Sequence, residues 1–224
     1  MCYALRPWTT IESVPTDEGA LQLRRRGDRE FLIVIAGRVL MTSSERVSEQ
    51  ALATLACAPI AWRDAPRVLI GGLGMGYTLR AALDALPATA AVVVAELNAT
   101  VVAWCRGAIS LLSDAAVLDP RVRIEVADVS AVIRDSPRSR YDAILLDLYE
   151  GPHAATQRPD DPFYGSAALR RSRAALTPGG MFAVWSEEPD AAFSRRFAAA
   201  GFETTTHRLG KSRRHVVYLG RRSK

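Results

Sequence analysis

An alternation of polar and apolar residues extends from residue 19 to residue 42. A period of two is typical of strands that bury one face in a sheet. Two glycine-containing pairs that favour turns, Gly27–Asp28 and Ala36–Gly37, interrupt the alternation. The pattern therefore predicts short antiparallel strands, which form an N-terminal β-hairpin region over residues 1–43.

From residue 44 onward the pattern changes to helices and fully apolar strands, which predicts a second domain over residues 44–224. Residues 44–58 space their apolar side chains as a helix does, and Ser44 is in position to cap that helix. Strands and helices then alternate, which is typical of a parallel sheet with helices on both faces. The predicted strands are 68–70, 92–96, 122–126, 141–146, 181–186, 204–209 and 215–219, the predicted helices are 78–86, 100–112, 166–176 and 191–199, and a turn is predicted at 177–180.

The composition favours a globular protein with one main core, because the chain has 224 residues, of which 49% are hydrophobic. Neither an apolar run long enough to cross a bilayer nor a charged-then-apolar leader is visible, so we expect a cytoplasmic protein without a membrane partner. Cys2, Cys57 and Cys105 are widely spaced. The cysteines therefore predict no disulfide framework, and the scattered histidines predict no metal site.

The formal net charge of +5 raises the alternative of a nucleic-acid partner, since arginines supply affinity for phosphates. Basic residues cluster at Arg24–Arg26 and near the C-terminus, from Lys211 to Lys224. Arginine nevertheless outnumbers lysine throughout the chain, a bias that needs no binding role. We therefore favour a solvated basic surface over a nucleic-acid site.

The most informative segment is a glycine-rich turn that connects an apolar strand to a helix. Gly71, Gly72, Gly74 and Gly76 allow a sharp bend and a close approach to a ligand. The next apolar strand ends in Glu96, whose carboxylate suits the paired hydroxyls of a ribose. The glycine spacing departs from G-x-G-x-x-G, which holds a pyrophosphate. The turn therefore favours an adenosyl sulfonium cofactor over a dinucleotide.

With these motifs in order, the chain resembles the spermidine synthase-like group of class I methyltransferase folds. The resemblance implies a Rossmann-like α/β fold with a mostly parallel seven-stranded sheet and an antiparallel edge strand, and it implies a homodimer. The segments that carry it are 37–50, 68–80, 92–98, 123–128, 141–152, Phe163–Tyr164 and 176–180.

The resemblance also implies a set of site residues. The catalytic residues would be Asp147, Tyr149 and Glu150. The cofactor, S-adenosylmethionine or its decarboxylated form, would contact Gln50, Gly71, Gly72, Gly74, Gly76, Glu96, Leu97, Asp128, Val129 and Asp147, and the substrate would contact Glu49, Tyr149, Glu150, His153 and Tyr164.

Three of these positions allow a structural alternative, because Glu96 could serve a helix dipole, Asp128 could cap a helix and Asp147 could cap a turn. Tyr149, His153 and Tyr164 could likewise pack their loop onto the core instead of lining a pocket.

The role implied for Asp147 is chemically reasonable. An alkylamine has a pKa of about 10.4 and is mostly protonated at neutral pH, so its nitrogen has no lone pair with which to attack a sulfonium carbon. A carboxylate at the end of a strand can orient the ammonium and accept its proton. Glu150 would add negative potential that attracts a cationic substrate.

The chain departs from the synthases in its glycine turn, where Leu73 and Met75 occupy positions that include an aspartate in that family. Leu40 and Glu49 stand where the synthases place diamine-side residues. Without the aspartate, the carboxylate of intact S-adenosylmethionine meets less repulsion. We therefore expect N-methylation of an amine or guanidine of a small cationic metabolite. Glu49 could replace the missing charge, so aminopropyl transfer is the alternative, followed by cyclisation of the cofactor or a non-catalytic module that binds nucleic acid.

Overall fold

The computed structural model describes residues 6–149, 151–210 and 214–223. The chain divides into two compact units, one that ends at Arg46 and one that begins at Val47. The first unit is a four-stranded antiparallel sheet whose strands lie in chain order, and each neighbouring pair is antiparallel. Its strands are β1 (Thr9–Thr16), β2 (Gly19–Arg26), β3 (Glu30–Ile35) and β4 (Arg38–Thr42). The predicted hairpins are therefore present, and β1 is an additional strand that the alternation pattern missed.

The second unit contains a seven-stranded sheet in the order β10-β11-β9-β8-β5-β6-β7. Neighbouring strands are parallel from β9 to β7, whereas β11 is antiparallel to both β9 and β10. This confirms the predicted Rossmann-like class, with the antiparallel strand one position in from the edge. The strands are β5 (Arg67–Gly71), β6 (Ala91–Glu96), β7 (Val122–Val126), β8 (Tyr141–Leu146), β9 (Leu176–Ser186), β10 (Phe202–Leu209) and β11 (His215–Arg222).

The helices of the second unit pack against this sheet through their apolar faces. One core cluster joins residues of β8 and β9, such as Ile144 and Phe182, to Phe193 and Phe197, and all four side chains are at most 1% exposed. Burial of large aromatic side chains supplies much of the driving force for such packing. The helices are α1 (Val47–Cys57), α2 (Tyr77–Ala85), α3 (Ala99–Arg106), α4 (Val129–Asp135), α5 (Ser166–Ala175) and α6 (Ala191–Ala199).

Three local predictions are wrong. Ser44 does not cap α1, because the helix begins three residues later and the Ser44 hydroxyl lies 3.0 Å from that of Thr42. Helix α3 ends at Arg106, since the following Gly107 leaves the helical conformation. The predicted turn at 177–180 is an irregularity inside β9, where these four residues face the single residue Asp142 of β8. The Asp142 carboxylate accepts a hydrogen bond from Thr177 and the guanidinium of Arg63, which stabilises the irregularity.

The position of the site follows from the strand order. The chain passes from β5 through β6 to β7 and then returns to β8 on the other side of β5, so the direction of winding reverses between β5 and β8. Ligands of open α/β sheets bind at the carboxyl ends of the strands at such a point. The glycine turn follows β5 and Asp147 follows β8, so both lie at this position.

The two strand ends approach so closely that Gly72 has no space for a side chain. Its φ is +89°, and a Cβ atom there would overlap the carbonyl oxygen of Asp147. The backbone N–H of Asp147 also donates a hydrogen bond of 2.9 Å to the carbonyl oxygen of Gly71. The glycine therefore permits the contact that holds Asp147 beside the turn.

We expect Gly72→Ala to lower the free energy of unfolding by about 3 kcal/mol or more, because left-handed strain of roughly 1–2 kcal/mol adds to a backbone overlap. Gly210→Ala is the matched control: its φ is +79°, but nothing lies within 4 Å of the added Cβ atom. Urea unfolding of both variants measures the difference. Equal losses in the two variants would show that the close approach at Gly72 is absent.

Candidate active site

The glycine turn presents backbone to the solvent and side chains to the core. Gly72 and Gly74 are partly exposed, whereas Leu73 is 3% exposed and Met75 is fully buried. Gly76, with a φ of +82°, is the N-cap residue that precedes α2. Leu73 and Met75 therefore anchor the turn in the core. The accessible surface of the turn is a strip of backbone without side chains, which a flat ligand can approach closely.

Glu96 connects this turn to the end of β6. One carboxylate oxygen accepts a hydrogen bond of 2.8 Å from the backbone N–H of Leu73, and the other accepts one of 2.8 Å from the N–H of Asn98. Burial raises the pKa of Glu96, although these hydrogen bonds oppose the shift. Asn98, not Glu96, caps α3. Each carboxylate oxygen can accept a further hydrogen bond, so the predicted ribose contact is compatible with this arrangement.

The side chain of Asp147 is held by Thr78. Asp147 follows β8, and its Oδ2 atom accepts a hydrogen bond of 2.5 Å from the hydroxyl of Thr78 in α2. The Thr78 hydroxyl also lies 3.3 Å from the carbonyl oxygen of Glu49 in α1. Thr78 therefore brings α1, α2 and the end of β8 together at one carboxylate.

Glu49 adds a second carboxylate beside Asp147. Its side chain is 9% exposed and its Oε2 atom accepts a hydrogen bond of 2.8 Å from the hydroxyl of Ser48. That hydroxyl lies 3.0 Å from Nδ1 of His215 in β11. The Glu49 side chain is thus anchored within the helix and linked to the antiparallel strand.

The surroundings raise the pKa of Asp147 to about 7. Burial is the larger cause, the negative charge of Glu49 adds to it, and the hydrogen bond from Thr78 opposes it. A carboxylate whose pKa lies near the working pH can both accept and release a proton. A pKa shifted this far is typical of functional carboxylates.

The remaining cofactor residues are more widely spread. Gln50 is exposed on α1, next to the buried Glu49, and Leu97 is 72% exposed beyond β6. Asp128 caps α4, because its Oδ1 atom accepts a hydrogen bond of 2.7 Å from the N–H of Ser130. Asp128 therefore serves as a helix cap, which is its structural alternative. The contact of Asp128 with adenine stays a prediction.

Val129 is 4% exposed, and it occupies the space that a Cβ atom on Gly71 would need. Its side chain therefore supports the turn from behind. Only the backbone of Val129 is therefore available for the predicted contact with the cofactor.

The predicted substrate residues differ in their positions. Tyr164 is 3% exposed, whereas Tyr149 is 41% exposed. His153 caps a short 3-10 helix at Ala154–Thr156. With Pro152, Ala154, Gln157 and residues 188–192 it lines a groove of about 380 Å³, a lining that does not include the glycine turn. Glu150 lies outside the described residues.

Thr78, Ser48 and His215 are site residues that the sequence did not predict. A polar residue on the buried side of α2, directly after the glycine turn, was the one available signal for Thr78. Among the described residues, no group of three side chains is arranged to hold a metal ion. Within the same residues, no helix is long and apolar enough to span a membrane.

We expect Asp147→Asn to stabilise the protein above pH 7. Because the pKa of Asp147 is raised from 3.8 to about 7, ionisation destabilises the folded state progressively as the pH rises through this interval and by a constant amount above it. At about 1.4 kcal/mol per pKa unit the stabilisation by Asp147→Asn has an upper limit of about 4 kcal/mol. Because the side chain is half-buried, solvent reduces the expected stabilisation to roughly 1–2 kcal/mol.

Urea unfolding of both proteins between pH 4 and pH 8 measures this gain. The two curves should coincide near pH 4 and separate toward pH 7. A constant difference across the range would contradict the raised pKa of Asp147.

No family model matches the chain. In sequence it is 26% identical over 157 residues to a spermine synthase of Arabidopsis thaliana, a match that covers 70% of this chain and 41% of that protein. It is 31% identical over 125 residues to a polyamine aminopropyltransferase of Prochlorococcus marinus, covering 56% of this chain and 42% of the relative. A putrescine N-methyltransferase of Nicotiana tabacum is 31% identical over 121 residues, and the match covers 54% of this chain and 30% of that protein. The chain thus spans less than half the length of these relatives.

Solved structures show the same fold over nearly the whole chain. A spermidine synthase from Thermotoga maritima has a TM-score of 0.74 at 20% identity, and the match covers 96% of this chain and 73% of that one. A spermidine synthase in complex with the transition-state analogue AdoDATO also has a TM-score of 0.74 at 20% identity, and the match covers 96% of this chain and 72% of that one. The chain therefore has the fold of the spermidine synthases and, as its motifs predict, resembles the spermidine synthase-like group in sequence.

Proposed function

We propose that this protein transfers an aminopropyl group from decarboxylated S-adenosylmethionine to a small cationic amine. The observation that carries the proposal is the Asp147 carboxylate, which lies beside the glycine turn with a pKa raised to about 7 and a second carboxylate, Glu49, next to it. Similarity to a spermine synthase and to a polyamine aminopropyltransferase supports it.

This proposal replaces methyl transfer as the favoured reaction. Methyl transfer was favoured because the glycine turn carries no carboxylate, and Leu73 and Met75 are indeed buried apolar residues there. Glu49 nevertheless supplies a negative charge close to Asp147 from a different element. A site with two carboxylates favours a donor whose chain ends in an ammonium and disfavours one that carries its own carboxylate.

The residues present fit an adenosyl donor. The backbone of Gly72 and Gly74 is partly exposed and carries no side chain, so a ligand can approach it closely, and Glu96 offers carboxylate oxygens at the edge of the same turn. The exposed apolar side chain of Leu97 follows Glu96 directly and would cover one face of the adenine. When bound, the donor would supply a carbon made electrophilic by the adjacent positively charged sulfur.

Asp147 performs the acid–base part of the reaction in this proposal. Its carboxylate attracts the acceptor ammonium and accepts one proton from it, which frees the nitrogen lone pair. The nitrogen forms a bond to the electrophilic carbon as the bond between that carbon and sulfur breaks, and the bonding pair remains on sulfur. The hydroxyl of Thr78 keeps Asp147 oriented in either protonation state, because a hydroxyl can both donate and accept.

Glu49 acts through its charge. Its negative potential raises the proton affinity of Asp147 and attracts the ammonium groups of donor and acceptor. The proposed mechanism needs both carboxylates, because Asp147 without Glu49 would have a lower pKa and would accept a proton less readily at neutral pH.

N-methylation of the acceptor is the second candidate. Similarity to a putrescine N-methyltransferase favours it, and the same carboxylates would serve that reaction by freeing the amine lone pair. The two reactions differ in the donor and in the carbon that the amine attacks, which is the methyl carbon on sulfur in one and the aminopropyl carbon on sulfur in the other. We further propose that the protein acts as a homodimer in the cytoplasm and that its basic surface does not bind nucleic acid.

The donor is identified by calorimetry with decarboxylated S-adenosylmethionine, intact S-adenosylmethionine and methylthioadenosine. We expect the decarboxylated form to bind at least about 10-fold more tightly than the intact form, and Glu49→Gln to reduce this preference because it removes one negative charge. Preference for the intact form would establish the methyltransferase candidate instead. Binding of none of the three compounds would exclude both.

We expect Asp147→Asn to lower kcat with a small diamine acceptor by about 10²–10⁴-fold while the affinity for methylthioadenosine changes little, because the amide cannot accept the proton. In the parent protein kcat/KM should fall as the pH drops below about 7, the pKa of Asp147. Glu49→Gln should move this acid limb to lower pH.

The control is Asp135→Asn, which changes a carboxylate in an exposed ion pair with Arg134 and should leave kcat unchanged. If Asp147→Asn retained more than a tenth of the activity, another group would be the base.

A further inference from the structure

A chain of hydrogen-bonding side chains connects the start of β11 to the second carboxylate of the site. The Ser48 hydroxyl donates a hydrogen bond of 2.8 Å to Oε2 of Glu49, and the same hydroxyl lies 3.0 Å from Nδ1 of His215. A hydroxyl has one proton to donate, and an ionised carboxylate can only accept. His215 therefore carries a proton on Nδ1 and donates it to Ser48, so the chain runs from His215 through Ser48 to Glu49.

The ring of His215 is held in place for this contact. It packs against the indole ring of Trp185, with 5.4 Å between the ring centroids and an angle of 58° between the ring planes. Arg214, the preceding residue, is in ion pairs with Glu187 and Glu188. The neighbouring charges are therefore paired with each other, and the contact with Ser48 is made by His215.

The two carboxylates of the site are connected through Thr78. The carbonyl oxygen of Glu49 lies 3.3 Å from the Thr78 hydroxyl, and this hydroxyl donates a hydrogen bond of 2.5 Å to Asp147. Among the described residues, Glu49 is the one charged group that shifts the pKa of Asp147. Two carboxylates that interact in this way compete for a proton, and their surroundings decide which of them takes it.

The surroundings support the charge of Glu49 more than that of Asp147. Hydrogen bonds in a chain polarise one another, so a Ser48 hydroxyl that accepts from His215 favours the ionised form of Glu49 more than an isolated hydroxyl would. Burial opposes ionisation of Asp147, and the hydrogen bond from Thr78 offsets only part of this effect. The proton of the pair therefore belongs on Asp147.

We propose that His215 is a positioning residue that acts through Ser48 to keep Glu49 charged and thereby leaves the proton of the pair to Asp147. The inference rests on the proposed function and deepens it, because it assigns the base within the pair and adds two residues that control the choice of donor. The charged Glu49 attracts the ammonium end of the donor. The proton of the acceptor nitrogen passes to Asp147, and the hydrogen bonds to Glu49 stay as they are.

His215→Phe removes the Nδ1–H donor and keeps a ring against Trp185. Without this donor Glu49 takes up a proton more readily, so we expect the variant to reproduce Glu49→Gln. In calorimetry the preference for decarboxylated over intact S-adenosylmethionine should fall from at least about 10-fold to below about 3-fold. The acid limb of kcat/KM should move to lower pH, because Asp147 loses a neighbouring negative charge.

Two further variants test the individual links of the chain. Ser48→Ala interrupts it in the middle and should have the same two effects as His215→Phe. His215→Asn places an amide N–H where Nδ1–H was and should restore both the donor preference and the acid limb of the parent protein.

The same measurements in a Glu49→Gln background separate this role from a structural one. Once the charge of Glu49 is gone, His215→Phe should change neither the donor preference nor the acid limb any further. His207→Phe is the matched control, because it changes a histidine of β10, the edge strand beside β11, and it should leave both quantities unchanged.

A parent-like donor preference and acid limb in either His215→Phe or Ser48→Ala would overturn the inference and leave the proposed function intact. Equal effects of His215→Phe with and without the Glu49 carboxylate would also overturn it, since His215 would then act on the fold alone. A parent protein that binds neither decarboxylated S-adenosylmethionine nor methylthioadenosine would overturn the proposed function as well, and this outcome is seen without any variant.

Discussion

The contact between Gly72 and the backbone of Asp147 is the constraint on which the site depends. It joins the ends of β5 and β8, where the winding of the sheet reverses, and only a residue without a side chain permits it. Because Asp147 also donates its N–H to Gly71, the carboxylate is positioned by backbone groups and not by a flexible loop. The same glycine turn is the strip of exposed backbone proposed for the donor. One local geometry therefore provides both the surface for a ligand and the group that would react beside it.

Ionisation of Asp147 near Glu49 destabilises the folded protein. Burial raises the pKa of Asp147 to about 7, and repulsion by the carboxylate of Glu49 adds to the shift. The Thr78 hydroxyl offsets part of this destabilisation, and Ser48 satisfies one oxygen of Glu49. A cationic ligand would relieve the rest. Such an arrangement makes the empty site less stable than an uncharged one and gives it a preference for cations, a trade-off that is common at functional sites.

The elements that the sequence predicted best are those with continuous apolar runs. The bounds of β8 are as predicted, because the apolar signal is strong where a strand is buried along its length and paired on both sides. Strand β1 was missed because most of its residues are exposed. The turn residues and Asp147 could be found from local motifs. The link from Asp147 through Thr78 to the Glu49 backbone could not, because it depends on how α1 and α2 pack together, and its one local sign is a polar residue on the buried side of α2.

A crystal structure with methylthioadenosine bound tests the central claim most directly. The account predicts that the nucleoside lies along Gly72 and Gly74, with its ribose hydroxyls hydrogen-bonded to Glu96 and its sulfur on the side of the turn that faces Asp147. A nucleoside bound away from the turn, or an Asp147 carboxylate separated from the sulfur by protein side chains, would contradict it.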